Sequence, residues 1–185
     1  MRILLCAVSV LVFVGAPLVS QSTPPASLEQ LLMEAAYLGE LETVKQLVLK
    51  GAKVDAVDPE NRTSLMWAAF NGHTAVVDYL ILRDATVDSK DASGRTALMY
   101  ASSGPYADTV ALLLEKGAQV NIQGTLEGFT ALMTAAAEGQ IEVVRLLLEH
   151  GADPSLKDKD GDTAVSFAQA NGHSAVVELL ENSDG

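Results

Sequence analysis

The hexapeptide TALMYA, residues 96–101, has three near-copies in the same chain: TSLMWA at 63–68, TALMTA at 130–135 and TAVSFA at 163–168. The leading threonines stand 33, 34 and 33 residues apart. Self-similarity at a fixed period in that range is the signature of stacked repeats, so the unit has to be read before any single side chain.

Aligning on these threonines aligns everything around them. A small-residue turn follows each opening: Leu38-Gly39-Glu40, Asn71-Gly72-His73, Gly104-Pro105-Tyr106, Glu138-Gly139-Gln140 and Asn171-Gly172-His173. Apolar residues then recur at i, i+3 and i+4, as in Val44/Leu47/Val48, Val110/Leu113/Leu114 and Val143/Val144/Leu147/Leu148, which is one face of a helix. A stop follows at Gly51-Ala52, Asp84-Ala85, Gly117-Ala118 and Gly151-Ala152. Glycine takes the left-handed conformation past a helix end at little cost, so Asp84 should be mildly strained. Short extended segments come next (Val54-Asp55, Val87-Asp88, Val120-Asn121), then a turn such as Asp91-Ala92-Ser93-Gly94. The next threonine is placed to cap a helix with its hydroxyl. The unit is therefore helix, tight turn, helix, turn. Neither helix is long enough to persist alone in water, and each apolar face needs a neighbouring unit to cover it.

This unit resembles the ankyrin repeat: DxxGxT, a helix ending in Ala-Ala-x-x-Gly-His, then x-x-Val-Val-x-x-Leu-Leu, then Gly-Ala-x-x-Asn. Residues 171–180 and 139–152 fit closely, and the resemblance covers about 27–181. It implies an all-α solenoid of about five repeats, near 27–57, 58–90, 91–124, 125–157 and 158–185, the first and last acting as caps. Ser27-Leu28-Glu29-Gln30 opens the first unit as a capping box, and a polar tail from Glu181 follows the last. The departures are specific. Family Thr-Pro-Leu-His becomes Thr-Ser-Leu-Met or Thr-Ala-Leu-Met, so Met66, Met99 and Met133 replace a polar histidine and packing must replace its tie; Ser166 takes that place in the last unit. Pro105 stands at an inter-helix position expected to be glycine. The spacing of 34 puts one extra residue between Asn121 and Thr130, where a bulge is expected.

The N-terminus is set apart. Met1-Arg2 precedes residues 3–14, which are apolar except for Ser9; Gly15, Ala16 and Pro17 break the run, and small residues stand at Ser20 and Ser22. This order reads as a secretory signal peptide at 1–20, cleaved after Ser20 or else Ser22, with a linker at 21–26. The run is short for a spanning helix, which needs about 20 residues; an uncleaved membrane anchor is the alternative. Cys6, the single cysteine, would leave with the signal, so no disulfide staples the domain. The formal charge is −12, which makes phosphate backbones and anionic membrane surfaces poor partners.

Chemistry-bearing patterns are sparse. The buried methionines could form a stripe for soft metal or oxidants, but helices stacked about 8–10 Å apart hold them too far apart to share an ion. Asp158, Asp160 and Asp162 alternate like a calcium loop, yet Thr163 holds the place of the loop glycine and Gln169 that of the closing acid. His73 and His173 occupy the family's turn position, and His150 ends a helix where a cation is welcome. Asn61-Arg62-Thr63 matches a glycosylation sequon. No nucleophile elbow, phosphate loop or paired metal ligands are present, so no enzyme, cofactor or metal is expected.

The resemblance implies instead a concave surface of turn tips and first helices that binds a protein. Trp67 and Tyr100 share one repeat position, with Phe70 and Phe129 nearby and Arg62 and Arg95 beside them. Aromatics with arginine have the composition of a binding hot spot, and these six are the candidate contacts. The competing reading has Trp67 and Phe167 half-buried between repeats. The expected protein is a monomeric, non-catalytic adaptor, periplasmic after export. Alternatives are secretion or anchoring, and a role as a stress-protective factor, an activator of an exported enzyme, or a methionine-based metal or oxidant handler.

Overall fold

Each threonine does what its position requires. Thr63, Thr96, Thr130 and Thr163 have extended backbones, and each Oγ1 accepts from the backbone N–H three residues on. They open the first helices of successive pairs in the structure, a computed structural model that describes residues 26–182. The signal peptide, both cleavage points, Cys6, nearly all of the linker and residues 183–185 lie outside the described residues.

Five helix pairs follow one another: α1 (Leu28–Leu38) with α2 (Leu41–Leu49), α3 (Ser64–Phe70) with α4 (Thr74–Ile81), α5 (Ala97–Ala101) with α6 (Ala107–Glu115), α7 (Ala131–Ala137) with α8 (Ile141–Glu149), and α9 (Ala164–Ala170) with α10 (Ser174–Glu181). Among the described residues there are no strands, only an isolated antiparallel bridge between Val57 and Thr63. First helices pack on first helices and second on second, and Leu65, Leu98 and Leu132 are buried at one register, as are Leu47, Leu80, Leu113, Leu147 and Leu180 on the second helices. Met66, Met99 and Met133 are buried as well, so thioethers fill the position where the family carries a polar tie. In the last unit Ser166 restores one, since its Oγ accepts from Thr163 N in a capping box. The first unit has the expected box between Ser27 and Gln30.

Three sets of polar contacts join units across about one period. Asn71 Nδ2 and His73 Nε2 both meet the carbonyl of Tyr37, at 2.7 and 2.9 Å; Asn171 and His173 do the same to Ala137, at 2.9 and 3.0 Å. A carbonyl only accepts, so each imidazole carries its proton on Nε2. These rings lie over the glycine of the preceding turn: a Cβ on Gly39 would sit 2.5 Å from His73 Nδ1, and Gly39 is also left-handed at φ 74°. Farther along, Asp55 accepts from Thr86 N and Oγ1, Asp88 from Gln119 N, and Asn121 from Asp153 N. At the turn tips, Ala92 N donates to Glu60 O and Lys159 N to Glu127 O.

The departures acquire physical form. α5 has only five residues. Pro105 lacks an N–H to extend it, and the Ser102 and Ser103 hydroxyls bond the carbonyls of Leu98 and Tyr100, which also accept from Ser102 N and Ser103 N. Asp84 is left-handed at φ 65° where other units have glycine; so is Asn61 at φ 60°, in the slot of Gly94 and Gly161. The extra residue before Thr130 makes a bulge closed by Gly128 N to Gly124 O, with Thr125 N and Leu126 N both bonded to Ser93 O.

Candidate functional site

Three rows of side chains, one residue per unit, meet along the first-helix face. One runs Glu34, Trp67, Tyr100, Thr134, Phe167. A second, three residues on, runs Tyr37, Phe70, Ser103, Ala137, Ala170. The third, on the turn tips, runs Arg62, Arg95, Phe129, Asp162. Each row is fixed by the repeat period, so what differs along it is composition.

In the first three units the rows interlock. Tyr37 meets Trp67 at 5.5 Å, Trp67 meets Phe70 at 6.4 Å, and Phe70 meets Tyr100 at 6.0 Å, all edge to face. The guanidinium of Arg62 lies 4.4 Å over Trp67, and that of Arg95 4.8 Å over Tyr100. Such pairs add about 0.5–1.5 kcal/mol each beyond area burial, which holds the rings as a rigid strip. In the fourth unit the pattern inverts: Thr134 replaces the ring and Phe129 replaces the arginine. Phe129 packs across on Phe167 at 5.1 Å.

A pocket of about 250 Å³ opens between these two aromatic groups. Phe70 and Tyr100 form one wall, Phe129 and Phe167 the other, with Met99 and Met133 also in the lining. It exists because Ser103, Thr134 and Ala137 are small where neighbouring units carry rings. Both hydroxyls are already engaged, Ser103 Oγ with Tyr100 O and Thr134 Oγ1 with Thr130 O. The interior is thus effectively apolar, with Arg95 and Glu138 as its charged members. A second hollow of about 400 Å³ lies beyond Phe70 against Met33, Glu34, Tyr37 and Trp67.

The two arginines are not equivalent. Arg62 donates Nε to Asp58 at 2.7 Å and Nη2 to Glu60 at 2.8 Å; the bond to Asp58 outweighs burial and raises its pKa. Arg95 donates only Nε, to Asp91 at 3.3 Å, and its terminal nitrogens make no hydrogen bond among the described residues. Asp91 is buried and accepts from Ser93 N, Arg95 N and Tyr100 Oη, the last at 2.7 Å. Burial pushes its carboxyl up, but Tyr100, the two backbone donors and the Arg95 charge together hold it below its ordinary value. Burial first, then the bond to Asp91, pushes the Tyr100 phenol up to about 12.

The structure therefore brings Arg62, Trp67, Phe70, Arg95 and Tyr100 together and sets Phe129 across the pocket. Tyr100 differs from the open contact expected of it: it is only 8% exposed and its hydroxyl is committed to Asp91. Trp67 is half-buried, Phe70 exposed. Phe167 is half-buried, like Trp67, and forms a pocket wall. Tyr37, 33 residues before Phe70, was not legible as part of the strip because its unit lacks the threonine opening that sets the alignment. The signal for the pocket was Thr134 between Tyr100 and Phe167 in a row that carries rings in its second, third and fifth units.

The remaining candidates have structural employment. Asp158 accepts from Asp160 N and Asp162 N within its own turn, and His150 Nδ1 meets Leu146 O at 2.8 Å. Among the described residues no group of His, Cys, Asp and Glu is arranged to hold a metal ion, and no helix is long and apolar enough to cross a membrane. The family model described as Ankyrin repeats (3 copies) matches residues 32–124 and again 121–185. Comparison with curated proteins finds no match.

Proposed function

The chain belongs to the ankyrin-repeat family, and we propose on that premise that it is a non-catalytic adaptor, exported to the periplasm, whose first-helix face binds a partner protein. Ankyrin repeats are in general protein-interaction modules. The observation that carries the reading is the aromatic–arginine strip beside an unfilled apolar pocket. Phe70 and Tyr37 are 38% and 43% exposed in it. Large rings left on the surface, rigid before any partner arrives, lose little side-chain freedom on binding. The order of residues in 1–20 supports export. Metal handling by Met66, Met99 and Met133 draws no support, since all three side chains are buried in packing.

Capture from an envelope extract tests this, with the protein purified as its cell processes it beside a Trp67→Ala/Phe70→Ala variant. Tyr100 is left alone because its loss would take one donor from buried Asp91 and lower stability. The variant must keep a wild-type circular dichroism spectrum. One partner held by wild type and weakened at least about 30-fold in the variant is expected for a lost pair of central rings. Equal retention by both rejects this face.

A further inference from the structure

Resting on the interaction reading above, we propose that the pocket between Phe70/Tyr100 and Phe129/Phe167 receives one aromatic side chain of the partner while Arg95 binds a carboxylate next to it. Three observations specify that occupant. The size is the first: about 250 Å³ is below the 300–1,000 Å³ of sites for drug-sized ligands, and suits a side chain rather than a cofactor. The lining is the second. Four rings surround a space whose hydroxyl protons are already donated to backbone carbonyls, so an acceptor group entering it away from Arg95 would lose its water without recompense.

Charge is the third. Arg95 is half exposed at the pocket, and its terminal N–H groups are uncommitted among the described residues. A planar guanidinium already oriented on Tyr100 and Asp91 is prepared to take a carboxylate with two parallel bonds. Arg62, whose charge is already met by two carboxylates, Asp58 and Glu60, offers much less. The one carboxylate of the lining, Glu138, is exposed to solvent, whereas a cationic side chain would enter beside Arg95 held over Tyr100, so the four rings do not here form a cage for an ammonium group. The partner feature is therefore a Phe, Tyr or Trp adjacent to Asp or Glu, or an aromatic C-terminal residue with its own carboxylate.

The test uses N-acetyl-phenylalanine, its uncharged amide and N-acetyl-alanine as probes, titrated into the full protein carrying ¹³C-methyl methionine. Met99 and Met133 line the pocket, whereas Met66 is buried outside it, so their methyl signals give an internal control. N-acetyl-phenylalanine should shift Met99 and Met133 but not Met66, with a dissociation constant on the order of 1 mM for a ligand of that size. The amide should bind about 10-fold more weakly, and N-acetyl-alanine should not saturate. Arg95→Gln should erase the preference for the carboxylate, and Thr134→Phe, which restores the missing ring, should abolish binding. Equal binding of acid and amide, unchanged binding in Thr134→Phe, or no shift of Met99 and Met133 at about 10 mM probe overturns the inference. Those results leave the interaction reading intact. That reading falls separately, if the Trp67→Ala/Phe70→Ala variant keeps its partner.

Discussion

Replacing Tyr100 with Phe removes one oxygen atom and should expose how the strip is held. The hydroxyl donates to Asp91 at 2.7 Å, and Asp91 is buried. A hydrogen bond to a charged group is worth about 1.5–3 kcal/mol net. The lower end applies, because Asp91 keeps Ser93 N, Arg95 N and Arg95 Nε as donors. A loss of about 1.5 kcal/mol, with a urea slope of about 2 kcal/mol per molar, lowers the unfolding midpoint by about 0.7 M at pH 7. The pH dependence gives the sharper check. Asp91 has a depressed carboxyl in the folded chain, so its contribution is complete above the ordinary aspartate value near 3.8 and is lost as pH falls through the lower folded value. Tyr100→Phe lets that folded value rise, so the acid-unfolding midpoint should move to higher pH and the urea penalty should shrink below pH 3.8. In a double-mutant cycle, Asp91→Asn and Tyr100→Phe should couple by about 1 kcal/mol. A midpoint within about 0.2 M of wild type at pH 7, or a penalty that ignores pH, would refute the assignment of this bond as the anchor of Tyr100.

At the alkaline end the same pair acts in reverse: folding favours the neutral phenol, so stability should decline as pH rises from 10 toward about 12, and Tyr100→Phe should lack that decline in urea titrations. Asp84→Gly should stabilise by about 0.5–1 kcal/mol, read as a rise in Tm of about 2–4 °C, because it relieves a left-handed non-glycine residue. Gly139→Ala should cost about 2–3 kcal/mol, since its Cβ would lie 2.6 Å from His173 Nδ1 and displace that ring from Ala137 O. Gly151→Ala, equally left-handed with nothing within 4 Å, should cost only about 1 kcal/mol; equal losses in the two would mean the histidine contact is not what Gly139 protects.

What the sequence disclosed was whatever is written once per period. The threonine caps, the buried leucines and valines, the glycine stops and the left-handed strain at Asp84 all recur, or break a recurrence, at countable positions. The contact strip was half legible for the same reason: Trp67 and Tyr100 share a register. The pocket was missed because it is made by an absence, Thr134 and Ala137 being small between larger neighbours, and periodic reading attends to what is present. Asp91 was hidden more deeply. Its turn role is common to Asp58 and Asp158, and only the three-dimensional approach of Tyr100 makes it different. Pro105 was recognised as an irregularity, but the serine back-bonding at the end of α5 depends on where hydroxyls fall once the helix has ended.

The paired bonds from asparagine and histidine to a preceding carbonyl occur at Tyr37 and at Ala137, which are the first and last junctions of the stack. The turns at Gly104-Pro105-Tyr106 and Glu138-Gly139-Gln140 carry neither residue type. The stack is thus pinned by these bonds at its ends, and its middle units are joined by others, such as Thr74 Oγ1 with Thr109 Oγ1 and Thr125 N with Ser93 O. The two walls of the pocket fall on either side of that middle: Phe70 and Tyr100 belong to one arm, Phe129 and Phe167 to the other. Together they make a calliper spanning the junction of the third and fourth units, so the width offered to a side chain is set by how those two units stack.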